Sequence, residues 1–165
     1  MPEQETIDRA HEDAREGKAP STQAGEFVRE EIHHVREGKH GAESTKQAIA
    51  IGLSKARRAG VKVGAKKGAS KRTKAKAKRD LKKGRRPRKK VSAKRSRAVR
   101  GALKRAGRKA ASKSALSRQA KSAARKRSAS SRSAAAKKAA RTKGPRGRKA
   151  AAKKAARTRS RRASR

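Results

Sequence analysis

Ser44-Thr45-Lys46-Gln47-Ala48-Ile49-Ala50-Ile51-Gly52-Leu53-Ser54-Lys55-Ala56-Arg57-Arg58-Ala59-Gly60 has the best-defined ends of any stretch in the chain. Ser44 and Gln47 stand at the S-x-x-Q spacing of a capping box, where a hydroxyl and a side-chain amide satisfy free backbone N–H groups at a helix start. Ile49, Leu53 and Ala56 follow as a stripe with Ile51 on its flank, and Gly60 closes the helix. Upstream, a second helix starts after Ser21 or Thr22, just past Pro20, and stops at Gly38. Its Ala24, Val28, Ile32 and Val35 share one face beside Phe27. A first, acidic helix spans Glu3 to Glu16 and carries one large apolar side chain, Ile7. The apolar face Phe27, Val28, Ile32, Val35, Ile49 and Leu53 is expected to close a small helical hairpin. So small a hairpin is marginal by itself, and self-association or a protein partner is expected to complete it.

Charge divides the chain at the end of this head. Residues 1–60 hold 10 basic and 11 acidic side chains, whereas residues 61–165 hold 45 basic side chains and a single acid, Asp80. The total is +43 over 165 residues. A segment so cationic is expected to find a polyanion, and DNA and RNA are the commonest in cells.

The basic part offers little to bury. The chain is 31% apolar, most of it alanine, with Phe27 its one aromatic residue. Ordering a residue costs roughly 1–2 kcal/mol, and an alanine methyl returns far less than the ~1.5–3 kcal/mol of a buried Leu or Phe. The expected fold class is therefore mostly disordered: a small all-α N-terminal head over residues 1–60, with two to three short helices, and a basic low-complexity tail over 61–165 with transient helices. Within the tail, Ser92 to Gly107 is helix-like, with Ser92 as cap and Val99, Leu103 and Ala106 on one face, and Ser114 to Lys126 is a weaker candidate. Ala-Ala-Ala-Lys-Lys-Ala-Ala-Arg-Thr occurs at 134–142 and again at 150–158. A repeat without large apolar residues reads as a polyelectrolyte.

Phosphate contact is the chemistry such a tail can do. The residues expected to make it are Lys82, Lys83, Arg85, Arg86, Arg88, Lys89 and Lys90, then Arg97, Arg100, Lys104 and Arg105. In the repeat region they are Lys137, Lys138, Arg141, Arg146, Arg148, Lys149, Lys153, Lys154 and Arg157. The 27 Lys and 28 Arg are nearly balanced, so plain charge rather than bidentate base reading is expected. Lys82 to Lys90 and Pro145-Arg146-Gly147-Arg148 each resemble an AT-hook, a motif that places Arg in narrow A·T minor grooves. An extra Arg interrupts the first, and Lys149 replaces the following proline in the second.

Other chemistry is not expected. The chain has no cysteine, hence no disulfide, thiolate nucleophile or cysteine zinc site. No run of about 18 apolar residues is present, and a soluble, intracellular protein without a membrane role follows as the expectation. Nothing pairs a nucleophile with a base, so no enzyme and no cofactor are expected. Glu30–His33 and Glu31–His34 stand three apart in the second helix, but sequence spacing supplies no third metal ligand.

Lys46 to Ala56, Lys-Gln-Ala-Ile-Ala-Ile-Gly-Leu-Ser-Lys-Ala, resembles the K-Q-A-I-A-I-A-L-S-E-A signature of a family of small bacterial proteins of unknown function. The resemblance covers residues 35–60, and members often continue into a Lys- and Ala-rich tail; some carry a plasmid-stabilisation label. Gly52 and Lys55 replace the usual Ala and Glu, which weakens the helix and makes it more basic. By composition the tail also resembles linker-histone C-terminal domains. The function expected is that of a sequence-independent DNA-binding, histone-like protein of the bacterial nucleoid in the cytoplasm. Its acidic first helix is expected to fold back on the tail and compete with DNA. Two alternatives share the composition: an RNA- or ribosome-associated basic protein, and an adaptor whose head captures a partner.

Overall fold

Proline at the first position of a helix loses nothing, because the N–H it lacks would have had no partner there. The second helix uses this and begins on Pro20 itself, before Ser21 and Thr22. The computed structural model describes residues 2–66, 68–85 and 92–163. In chain order these hold α1 (Gln4–Arg15), α2 (Pro20–Glu37), α3 (Thr45–Arg58), α4 (Lys71–Gly84) and α5 (Ala93–Arg105). A 3-10 turn (Arg108–Ala111), α6 (Lys113–Arg125) and α7 (Ala129–Ala163) follow, and no strand occurs among the described residues.

This helix content overturns the expectation of a mostly disordered chain with transient helices in its tail. The basic half is built of Ala, Lys and Arg, three of the strongest helix formers. A helix satisfies its backbone N–H and C=O groups internally and so needs less core than a sheet or an irregular fold. Serines begin several of these helices: Ser70 Oγ accepts from Thr73 N–H (3.2 Å), Ser112 Oγ from Ala115 N–H (3.2 Å) and Ser128 Oγ from Ser131 N–H (3.2 Å). The expected cap at Ser92 makes no such bond, although α5 starts directly after it.

The chain forms two compact units, Met1–Gln119 and Ala120–Arg165. In the first, the pairing of α2 with α3 is the most extensive, followed by α1 on α2 and α4 on α3. Ser44 caps α3 as its sequence indicates, accepting from Gln47 N–H at 3.2 Å. The Gln47 amide oxygen accepts from Glu43 N–H (2.8 Å), one residue upstream of the usual capping-box donor.

The buried side of α3 is Thr45, Ala48, Gly52 and Ala56, while Ile49, Leu53 and Ile51 are half-buried at its edges. Small residues thus form the seam. A Cβ on Gly52 would sit 2.7 Å from Val28 Cα and 2.9 Å from the Phe27 carbonyl oxygen, so the two helices meet almost backbone to backbone. Phe27 is 1% exposed and Val35 0% as a result.

The basic half completes this core. One cluster gathers Ile32, Val35, Ala42 and Ala48 with Ala110 and Ala111 of the 3-10 turn, and Leu116 packs against it. The other gathers Ala10, Ala24, Phe27, Ala56 and Val61. Backbone and side-chain bonds fasten the first cluster: Thr45 Oγ1 donates to the Ala110 carbonyl (2.6 Å) and Arg36 Nε to the Ala111 carbonyl (2.9 Å). Gly41 N–H donates to the Leu103 carbonyl (2.8 Å), and Ala42 N–H to that of Gly107 (3.2 Å).

Asp80 is the other fastening. It is 3% exposed and ties α4 to α3, accepting from Ser54 Oγ (3.0 Å) and Arg58 Nη2 (3.3 Å). The single acid of the basic half is therefore structural.

Two substitutions test these contacts. Gly52→Ala gains about 1 kcal/mol of helix propensity but overpacks the seam at a cost of ~1–3 kcal/mol. Urea unfolding should show a net loss of up to about 2 kcal/mol, and a gain would mean that the helices part without penalty. Asp80→Ala should cost about 1–3 kcal/mol by removing a buried acceptor. Arg58, whose side chain is 56% exposed, should lose less than about 1 kcal/mol when changed to Ala.

Candidate nucleic-acid interface

Only cations free of structural duties can meet phosphates at full strength. Several in the first unit are already engaged. Arg57 is 8% exposed, and its guanidinium donates to the carbonyls of Val63 (2.9 Å) and Gly64 (3.3 Å). Arg36 and Arg58 serve the core bonds described above.

The cations expected to bind nucleic acid are placed differently. Lys82 and Lys83 near the end of α4, Arg85 just after it, and Arg97, Arg100, Lys104 and Arg105 on α5 are all exposed. Arg86, Arg88, Lys89 and Lys90 lie outside the described residues, and most of the first hook-like stretch with them. Val99, on α5, is 54% exposed among these charges.

The second unit is basic throughout. Residues 120–165 contain 19 Lys and Arg and no Asp or Glu. Lys137, Lys138, Arg141, Arg146, Arg148, Lys149, Lys153, Lys154 and Arg157 are all exposed on α7. Pro145 removes a helix hydrogen bond and excludes its predecessor from the helical region. Gly144 takes φ 62° and ψ 177° there, a conformation open essentially to glycine, and divides α7 into two arms.

Each arm holds one copy of the nine-residue repeat. The same contact recurs in both: Thr142 Oγ1 donates to the Lys138 carbonyl (3.0 Å) and Thr158 Oγ1 to the Lys154 carbonyl (2.9 Å). The arms, residues 129–143 and 145–163, measure about 22 Å and 28 Å at 1.5 Å per residue. The second carries nine cations, roughly one per 3 Å, against one phosphate per ~1.7 Å of duplex axis. The second hook-like stretch, Pro145 to Arg148, lies within α7, where Arg148 Nε donates to the Gly144 carbonyl (3.4 Å).

The acids of the head are mostly paired within it. Arg9 contacts Glu5 and Glu26, and Lys18 contacts Asp13 (2.7 Å) and Glu16 (2.6 Å). These neighbours raise the Lys18 ammonium above its usual range. Glu3 takes a hydrogen bond from His34 Nε2 (2.9 Å) and another from Lys39 Nζ (3.1 Å), which hold its carboxyl down at about 2. Four of the six acids of the first helix thus already face bases of the head, leaving less charge for a fold-back onto the tail.

The apolar face expected on the head divides by burial. Phe27, Ile32 and Val35 are inside the core, while Val28, Ile49 and Leu53 are half-buried at its margin. The core itself is what Phe27 and Ile32 hold together, which leaves them no surface for an adaptor's partner.

One grouping escaped the sequence reading. Glu31 and His34 of α2 meet His40 of the α2–α3 loop, with one potential ligand atom of each lying within 4.8 Å of the others. His33 is exposed. The third residue comes from a loop whose path depends on α2–α3 packing, so no spacing rule along α2 could have supplied it.

Comparison with known proteins places a likeness on most of the head and the first residues after it. Residues 19–67 match a family of unknown function, DUF6496. The match takes in α2, α3, the Glu31–His34–His40 grouping and Lys55, and ends before every cation expected to bind nucleic acid. No curated protein and no solved structure matches the chain. Over residues 19–67, then, the chain is similar to this uncharacterised family.

Proposed function

We propose that the chain is a sequence-independent DNA-binding, histone-like protein of the bacterial nucleoid that acts by neutralising phosphates. One observation carries this reading: 19 cations and no acid in residues 120–165, with the candidate contact residues exposed on helices. Such a surface releases counterions from a polyanion and reads no base edge. It contains no aromatic side chain, whereas recognition of single-stranded RNA draws on base stacking. Among the described residues no helix is long and apolar enough to cross a membrane. The head, in this reading, is a folded anchor on which α4 and α5 are mounted.

Fluorescence anisotropy of the full chain against A·T-rich duplex, G·C-rich duplex and structured RNA, across a salt series, tests the reading. Duplex affinity should fall by about 10³-fold or more between roughly 50 and 200 mM salt, alike for both duplexes. Replacing Lys153, Lys154 and Arg157 by Ala should reduce the slope of log K against log salt by roughly 0.9 for each phosphate left unneutralised. Tight RNA binding with weak duplex binding would overturn the reading in favour of an RNA-associated protein. A marked preference for the A·T duplex would replace sequence-independent binding with minor-groove readout.

A further inference from the structure

We propose that Glu31, His34 and His40 form a binding site for a divalent transition-metal ion of the zinc type. This site lies in the head and does not depend on the nucleic-acid reading. Imidazole nitrogen with one carboxylate oxygen is a donor set suited to zinc and its neighbours, and three protein ligands leave a position for water or another ligand.

The first argument is the hydrogen-bond direction at His40. Its Nδ1 lies 3.1 Å from the Gly41 carbonyl oxygen. A carbonyl only accepts, so Nδ1 carries the hydrogen. In the neutral ring Nε2 then bears a lone pair, and that nitrogen faces Glu31 Oε1 at 3.2 Å. Two lone pairs at this distance repel unless a cation sits between them.

The second argument is the state of Glu31 itself. Its side chain is 0% exposed, yet neither carboxylate oxygen has a hydrogen-bond partner. Oε2 makes an ion-pair contact with Lys55 Nζ at 2.7 Å, outside hydrogen-bonding geometry, while Oε1 is left to His40. Glu30, 2% exposed and with its own Oε2 unpartnered, shares the same ammonium at 3.5 Å. Two buried carboxylates against one ammonium leave a negative excess where charge is hardest to bear.

Of the three ligands, His34 borders a cleft and is held in orientation. A cleft of about 200 Å³ between α1 and α2 reaches Glu30 and His34. Glu3 Oε1 bonds to His34 Nε2 at 2.9 Å, a carboxylate–imidazole contact of the kind that fixes the ring of a metal-binding histidine. Glu31 Oε1 and His40 Nε2, 3.2 Å apart, already stand near the ~3.4 Å that tetrahedral bonds of ~2.1 Å imply, and the ligand atoms of the group all lie within 4.8 Å of one another.

The full chain, stripped with chelator and without nucleic acid, is titrated with Zn²⁺ by calorimetry and with Co²⁺ by visible absorption. One ion per chain, with cobalt bands of a nitrogen- and oxygen-ligated ion, is expected. His40→Ala should weaken binding at least by the ~10–100-fold that loss of an outer partner costs a metal site. His40 stands in a loop, so helicity by circular dichroism should survive that change. His11→Ala, which alters an exposed residue of α1, should bind as the unaltered chain does. Failure to bind either ion would overturn the proposal. Unweakened binding by a folded His40→Ala variant would overturn it equally.

Discussion

The close approach of α2 and α3 at Gly52 is the constraint on which the rest of the first unit depends. With no side chain between them, the helices sit near enough for Phe27 and Val35 to be enclosed. They also fix the course of the loop from Gly38 to Ser44. That loop receives the carbonyls of Leu103 and Gly107 through Gly41 and Ala42, and it delivers His40 to Glu31. A wider seam would disturb the core, the docking of α5 and the buried charge group together.

The same position shows where sequence reading succeeds and where it stops. The Ser44 start of α3, the end of α2 at Gly38 and the apolar stripe of α2 were legible because local rules govern them. The register of α3 was not. Ile49, Leu53 and Ala56 were expected on the contact face, but Ile49 and Leu53 stand at its edges and Ala48 and Gly52 join Ala56 on the buried side. Read as a helix, Gly52 is a defect worth about 1 kcal/mol; read as a seam, it is the condition for contact. Only the partner helix distinguishes the two.

Disorder was expected of the basic half because alanine and lysine bury little, and that accounting treated every ordered residue as needing core. Helices need less. Their backbone bonds are internal, and three serines close their starts. The expectation failed most instructively at Ala110 and Ala111: two methyls with no hydrophobic neighbours in sequence fill a gap in the head, held by hydrogen bonds from Thr45 and Arg36. Asp80 was visible as the lone acid of a cationic stretch, but its bonds to Ser54 and Arg58 were not. The exposure of the described candidate phosphate-contact residues, by contrast, follows from charge alone, since exposure is the default for Lys and Arg.

The break at Gly144 gives α7 a property that charge density does not. Its two arms carry matching copies of one repeat, so under the proposed function the second unit would act as a tandem ligand joined by a single bend. Where both arms engage the same polyanion, the first contact raises the effective concentration for the second, and avidity exceeds what either arm supplies. Release need not then be all at once. One arm can let go and re-engage a neighbouring stretch while the other holds, so a chain bound tightly as a whole would still redistribute along its partner by short steps.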